Sequence, residues 1–431
     1  MRDIFILTAI IILALAALRR PQIGILAWLW ISVMNPHRLS YGFIYSMPLL
    51  DGIVAITLLS CLIHWKDRAP VRYVGILKIV TAFYVWCTLT TIFSVDTDLS
   101  FEKWLAYTKT MLLFVVILLF MNRKHWIISF VLVFVLSVGL TGFKGGIFTV
   151  LTGGSHRVWG PPGTAWGDNN GVSVAMLMIA PLTLGCMQLC KTKFQKLFVL
   201  GGAGAFFVTI LGTQSRGGLV GLLAMLGFVV LRSQKKILLS IIAVIGLAGG
   251  YAFMPQSWHD RMATIQNYEE DGSANTRLIQ WEYAIDISLE RPLFGNGFDA
   301  FFHQPYYYAH VAHKDSNRAV HSNYFEVLGE QGYIGILMYL SIIALCVINA
   351  RKYALKCVDR DDLKWAAALL LGLQFSIIGY AVNGLTVNMA YIDLFYYLIA
   401  MVVLLISYIA PVIEQDAKEN ITDKSIKGSY A

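Results

Sequence analysis

The chain is a succession of long apolar runs separated by short polar joints, and one polar stretch, from about Met254 to His321, is far longer than the other joints. Runs able to cross roughly 30 Å of hydrocarbon recur at 3–19, 21–34, 47–64, 73–94, 104–121, 125–151, 169–189, 195–213, 217–232, 236–253, 323–350, 363–383 and 390–412. None has the alternation of a barrel strand, and lipid obliges each segment to satisfy its own backbone polar groups, so the runs read as helices. The pattern predicts an all-α polytopic membrane protein with about 12 to 13 transmembrane helices, the first two short enough to form a shallow hairpin. Residues 1–20 end in Leu18-Arg19-Arg20-Pro21, a poor cleavage site, and read as a retained first helix. The expected organisation is N-terminal transmembrane helices over 1–253, a large loop with helices over 254–321, C-terminal transmembrane helices over 322–412, and an irregular polar tail over 413–431.

Composition agrees with the pattern: 57% of residues are hydrophobic and 14% charged, with a mean hydropathy of +0.63. Eighteen Lys and Arg residues fall in one set of short connections, among them Arg19, Arg123, Lys235 and Arg351, against four (Arg38, Lys103, Arg157, Arg216) in the opposite set. The first set is therefore cytoplasmic, as is the tail, and the 254–321 loop lies on the other side. The net charge of +8 reflects this bias and gives no argument for nucleic-acid binding. All six cysteines lie in predicted spans or a cytoplasmic joint, so no disulfide or cysteine zinc site is expected in the loop.

Basic residues on the translocated face run against the bias and mark candidate chemistry. Arg216 sits in Gln214-Ser215-Arg216-Gly217-Gly218, where small residues let a ligand approach the N–H groups of a helix start. A diphosphate fits there; so does an arginine reaching for lipid phosphates. Arg277 opens a predicted helix over 274–291, with Leu278, Trp281, Ile285 and Leu289 as an apolar stripe expected to face the membrane helices, and it pairs with Asp271 or Glu282, or binds a ligand. Arg157, in the Trp- and Pro-bearing turn Arg157-Val158-Trp159-Gly160-Pro161-Pro162-Gly163, and Lys144 lie on the same face, within reach of the same anion or of headgroups.

The loop itself holds nine acidic and five basic residues, so an anion site must be built from selected arginines. His303, His310 and His313 match no strong metal-ligand spacing. His321 stands at a helix start on the boundary of water and membrane, where an imidazole serves as a general base or simply as an interfacial residue. Asp96 and Asp98 read either as a carboxylate pair for a divalent metal or as helix capping, and the context favours capping. Asp393, buried in the last span, orients a catalytic partner or pairs with a neighbouring helix. The absence of a Walker loop, a nucleophile elbow and an H-E-x-x-H helix removes support for ATP-driven transport and the common hydrolases.

Several segments, taken in order, are together specific: Asp168-Asn169-Asn170, Ser215-Arg216-Gly217-Gly218, Arg277-x-x-x-Trp281-x-x-Ala284, Arg291-Pro292-x-x-Gly295-x-Gly297 and His321-Ser-Asn-Tyr-Phe-Glu-x-x-x-Glu-x-Gly-x-x-Gly335. They resemble the O-antigen ligase and polymerase superfamily across essentially the whole chain. Asn35-Pro36-His37-Arg38 and Arg157-Val-Trp-Gly-Pro-Pro-Gly163 look most like the exosortase-associated O-glycosylation ligases. The resemblance implies a GT-C-type glycosyltransferase of the bacterial inner membrane, with a large periplasmic loop and an active site facing the periplasm. Such enzymes move a glycan from undecaprenyl diphosphate to an acceptor, commonly a sugar of lipid A-core, without a metal or other cofactor. His321 matches the family's essential histidine, and Arg216 and Arg277 its essential arginines. The chain departs at Ser322, where many relatives have Asn, and Asn323 is a candidate to take over that place. With Gln214, Asn170 and Asp393 it makes up the supporting set around a diphosphate held by Arg216, Arg277, Arg157 and Lys144. An O-antigen polymerase or a protein O-glycosylation ligase uses the same donor, and a transporter of lipid-linked glycans is the non-enzyme alternative.

Overall fold

The computed structural model describes residues 2–73, 75–263, 272–311 and 319–428. Each predicted apolar run coincides with a helix: α1 (Arg2–Arg19), α2 (Pro21–Met34), α3 (Leu49–Ile63), α4 (Gly75–Ile92), α5 (Thr97–Phe120), α6 (Lys124–Leu151), α7 (Asn169–Gly185), α8 (Lys193–Gly212), α9 (Arg216–Arg232) and α10 (Lys236–Phe253). The loop carries α11 (Gln256–Ala263), α12 (Gly272–Glu290) and α13 (Gln304–His310). The chain closes with α14 (Asn323–Cys357), α15 (Lys364–Asn383) and α16 (Asp393–Gly428). Among the described residues there is no strand, and nine helices, α4 to α8, α10 and α14 to α16, are long and apolar enough to cross a membrane. The chain is a multi-pass membrane protein. The expected count narrows because α1 includes Arg2, Asp3 and Arg19, while α2, α3 and α9 have 14, 15 and 17 residues.

The centre of the bundle is α7 against α15. Helix α7 is buried on all sides, as a helix apolar around its whole circumference must be. The two approach closely because a side chain on Gly185 would fall 2.8 Å from the Ala368 carbonyl, and one on Gly372 would fall 2.8 Å from the Pro181 carbonyl. Small residues at such crossings supply the van der Waals contact that joins helices in lipid. Helix α10, by contrast, has no buried residue and lies at the periphery.

Two expectations are corrected. Residues after Val412 do not form an irregular tail: α16 runs on past the Pro411 inside it to Gly428, with no Gly or Pro between Val412 and Gly428 to stop it. On α12, Leu278, Ile285 and Leu289 are exposed, and the buried face is Gln280, Tyr283, Ala284, Ile287 and Ser288. Hydropathy chose the wrong face because small Ala284 and Ser288 allow close approach, and the Gln280 amide donates to the Tyr307 hydroxyl at 2.9 Å.

The loop is fixed to the bundle by a break in α14. Gly332 has φ 68° and ψ −173°, a conformation open essentially to glycine alone. The break frees carbonyls that the loop then uses: Asn296 N–H donates to Gly329 O at 3.1 Å, and Gly297 N–H to Glu330 O at 2.8 Å. In return Tyr333 N–H donates to Pro292 O at 2.9 Å. The spacing Pro292-x-x-Gly295-x-Gly297 is thus a backbone splint, since a Cβ on Gly295 would sit 2.7 Å from Gln331 N. Beside it, Lys103 Nζ on α5 lies 2.7 Å from Asp299 of the loop and 3.1 Å from both Glu326 and Glu330 of α14.

Gly332→Ala is expected to destabilise the protein by about 3 kcal/mol and lower its Tm, through left-handed strain and collision with the Pro292 and Leu293 carbonyls. Gly227→Ala, on α9 with open space around it, should leave Tm unchanged or raise it. Thermal unfolding in detergent measures both, and equal Tm values for the two variants would refute the splint.

Candidate functional site

At the end of the bundle that bears the loop, three helix starts rest on one connecting segment, 383–390. Asp168 caps α7 by accepting the Gly171 N–H at 2.8 Å. Ser215 caps α9 by accepting the Gly218 N–H at 3.1 Å, and its own hydroxyl donates to Asn170 Oδ1 at 2.8 Å, which ties the two starts together. Asn383 Nδ2 donates to Ser173 Oγ at 3.3 Å, and Gly217 has no side chain because one would overlap the Thr386 hydroxyl. At the third start, Asn323 is 1% exposed; its N–H donates to Gly384 O at 2.7 Å, and its Oδ1 accepts the Met389 N–H at 2.6 Å. Each helix start directs N–H groups that have no partner within the helix, and the positive end of a helix dipole, to this end of the bundle, so their grouping favours an anion.

Backbone strain marks the same place. Four non-glycine residues have positive φ among the described residues, Asn35, Gln214, Asp299 and His321. Two of them stand just before these helix starts: Gln214 at φ 53° precedes Ser215-Arg216, and His321 at φ 51° precedes Ser322-Asn323. Such residues cost about 1–3 kcal/mol and persist only where the surroundings over-determine them. Gln214 is held by its Nε2 donating to Gly154 O at 3.0 Å, and by Arg261 Nε donating to its carbonyl at 2.9 Å. His321 is half-buried, and its neighbour Val320 accepts the Trp281 indole N–H at 3.0 Å. Trp281 also stacks on Phe325, centroids 5.0 Å apart. This contact brings α12 to the start of α14, and Arg277 lies one turn from Trp281 on the same helix.

The structure thus gathers Asn170, Gln214, Arg216, Asn323 and His321 around segment 383–390, with Arg277 reached through Trp281. Arg157 joins through Gln214, its Nε lying 3.5 Å from Oε1. Arg157 and Lys144 are exposed and share a cavity of about 360 Å³ with Phe148, Trp159 and Pro161. Asp393 stands apart, in a second cavity with Lys103 and Glu326. Asp96 is the cap of α5: its Oδ1 accepts the Leu99 N–H at 3.1 Å, and its Oδ2 lies 2.7 Å from His303 Nδ1. Those contacts, the backbone one foremost, hold its carboxyl below the usual range. His313 and Asp271 lie outside the described residues. Sequence reasoning missed segment 383–390 altogether; its signals were Asn383-Gly384 after an apolar helix and Asn388 in the next turn.

On the loop, His310 lies between two acceptors, its Nδ1–H directed to the Tyr306 carbonyl at 2.8 Å and its Nε2–H to the Glu290 carboxylate at 2.9 Å. Burial works against the charged ring, but these two partners outweigh it and raise the His310 pKa. Hydrogen bonds from His310 and Tyr306 lower that of Glu290.

With this site defined, the chain falls in the class of multi-pass helical membrane proteins with a polar centre built at one end of the bundle. Residues 201–340 match the family model described as O-Antigen ligase, a range that takes in α9, the loop and the splinted half of α14. This match over 201–340 supports membership of the O-antigen ligase superfamily. Residues 1–188 match a second model, described as Family of unknown function (DUF5935). A Haemophilus influenzae protein named "Uncharacterized protein" is 25% identical over 177 residues, covering 37% of this chain and 43% of that protein. The chain thus spans under half the length of that curated relative.

Asn323→Ala removes the acceptor for the half-buried Met389 N–H and is expected to cost about 1 kcal/mol, seen as a lower Tm; an unchanged Tm would remove the residue from its supporting role. The His310 contribution is fully present below its unfolded pKa of about 6.5 and lost as pH rises through the raised folded value, while that of Glu290 is lost only as pH falls through its depressed value. Amide exchange of α13, corrected for intrinsic rates, should therefore quicken as pH rises above about 6.5, and His310→Gln should flatten that change. A wild-type profile without pH dependence would contradict the assignment.

Proposed function

We propose that this chain is a glycosyltransferase of the O-antigen ligase type, transferring a glycan from undecaprenyl diphosphate to a sugar hydroxyl of lipid A-core. The observation that carries the reading is the grouping of three helix starts on segment 383–390, with His321 and the Gln214-Ser215-Arg216 turn held in strained conformations beside them. The family match to residues 201–340 supports the same activity class. In this reading the end of the bundle that bears the 254–321 loop faces the periplasm from a bacterial inner membrane, in a GT-C-type arrangement; the Lys and Arg bias of the opposite connections supports that sidedness.

The chemistry follows from the groups available. A sugar hydroxyl is a weak nucleophile, and His321 accepts its proton as the oxygen attacks the anomeric carbon. The new bond joins acceptor oxygen to anomeric carbon; the bond from that carbon to the diphosphate oxygen breaks, and its electron pair leaves on undecaprenyl diphosphate. The developing charge is met by Arg216, Arg277 and the start of α9, donors fixed before reaction. Arg157 and Lys144, one contact further out, hold the rest of the diphosphate. Single displacement at the anomeric carbon gives inversion.

Purified protein in nanodiscs, given undecaprenyl-diphosphate-linked glycan and separate acceptors, tests this directly. His321→Ala is expected to fold and to lose about 10²–10⁴ in transfer rate, and Arg216→Ala and Arg277→Ala about 10²–10³ each. Normal capping of lipid A-core by His321→Ala would end the proposal, and consumption of a protein or growing-glycan acceptor instead would reassign the product.

A further inference from the structure

Two cavities flank the helix starts, and their chemistry is opposite. The first is edged by Lys144 and Arg157. The second, about 380 Å³ between α5, α14 and the start of α16, is lined by Lys103, Thr110, Glu326, Asn388, Tyr391 and Asp393. Its size falls within the range of small-molecule sites, about 300–1,000 Å³. Its one cation is already matched by three carboxylates, Asp299, Glu326 and Glu330, at 2.7 to 3.1 Å. Asp393 adds a second lining carboxylate to Glu326 against the single lysine, so the wall itself is acidic. Glu326 is committed, with Oε1 on Lys103 and Oε2 accepting the Ala390 N–H at 3.2 Å. Asp393 keeps capacity: its Oδ1 takes the Leu394 N–H at 2.9 Å and its Oδ2 a long contact of 3.4 Å from Tyr397, out of about four lone-pair sites on a carboxylate. Asn388 and Met389, which also line this cavity, belong to the segment that Asn323 holds beside His321.

We propose that this second cavity is the acceptor subsite, and that it takes an uncharged, hydroxyl-rich sugar, with Asp393 accepting hydroxyl hydrogen bonds against the ring of Tyr391. The inference rests on the transferase reading and deepens it by assigning a neutral acceptor face: an acidic wall penalises a phosphorylated sugar, whereas the basic cavity across the helix starts suits the donor diphosphate. Asp393 is a specificity residue here and touches no reacting atom.

Full-length protein in nanodiscs is titrated with methyl glucoside, glucose 6-phosphate and inorganic diphosphate, and binding is followed by saturation-transfer NMR. The wild type should prefer the glucoside. Ala106→Trp fills the mouth of the cavity from an exposed position without removing a polar group, and should weaken glucoside binding at least about tenfold. Asp393→Asn should narrow the preference over the phosphate by about tenfold, the value of a hydrogen bond to a charged group. Both variants should bind diphosphate as the wild type does. Equal binding of the two sugars by the wild type, no glucoside binding, or glucoside binding untouched by Ala106→Trp would each overturn the assignment. Loss of diphosphate binding in the wild type, with the glucoside result intact, would instead count against the transferase reading of the helix starts.

Discussion

Asn323 holds both ends of one short connection. Its backbone N–H closes on Gly384 and its side-chain oxygen on Met389, so segment 384–389 is pinned at either end to the first turn of α14. Thr386 of that segment packs on Gly217 of α9, and Asn383, just before it, donates to Ser173 of α7. In a chain surrounded by lipid, backbone outside helices is tolerated only where protein or water satisfies its polar groups. One asparagine, buried and engaged on both its amide and its side chain, therefore decides whether three helices can begin side by side. If its acceptor is lost, the half-buried Met389 N–H loses its partner and the connection loses one of its two ties to α14.

The second constraint is the break at Gly332. A continuous α14 would satisfy its own carbonyls and offer the loop nothing. By breaking, it lends Gly329 and Glu330 to Asn296 and Gly297 and takes Pro292 in exchange. The loop is thereby an extension of α14 rather than a flap, and α12 is brought against the turn that carries His321. The contact of Trp281 with Val320 and Phe325 then sets how far Arg277 stands from that histidine. Strain at His321 and Gln214 is tolerated because both neighbours are fixed by partners far away in sequence, which is the condition under which such conformations persist.

How much of this was legible in the sequence depends on the range of the interaction. The helices were, since length and hydropathy decide them locally, and so was the capping role of Asp96, which is read over three residues. The face of α12 was not: Leu278, Ile285 and Leu289 look like a core stripe, yet close packing of Ala284 and Ser288 and the Gln280 to Tyr307 hydrogen bond govern the contact. The candidate residues came from motifs, but what holds them was hidden, because Asn323 with Gly384, Ser173 with Asn383, and Gly217 with Thr386 are pairs that no local pattern joins. The glycines of the Arg291-to-Gly297 motif could be read as a turn, but their reason, a splint on a broken helix, appears only when Gly332 is set opposite them.

The Lys103 cluster shows why polar groups are kept where apolar ones would hold as well. Removing a lysine and three carboxylates from water costs several kcal/mol per ion, and their attraction recovers little beyond that. Net stability is therefore a weak reason for the arrangement. Geometry is a better one: Lys103 comes from α5, Asp299 from the loop, and Glu326 and Glu330 from successive turns of α14, with Glu330 also accepting the Asp299 N–H at 2.8 Å. Leucines in these positions would pack in several registers, whereas a cation that must meet three carboxylates accepts one. Because Glu326 also holds Ala390, the register chosen by Lys103 passes directly into the segment that Asn323 pins. The ion cluster and the asparagine thus fix two adjacent residues, Met389 and Ala390, from one face of the first turn of α14.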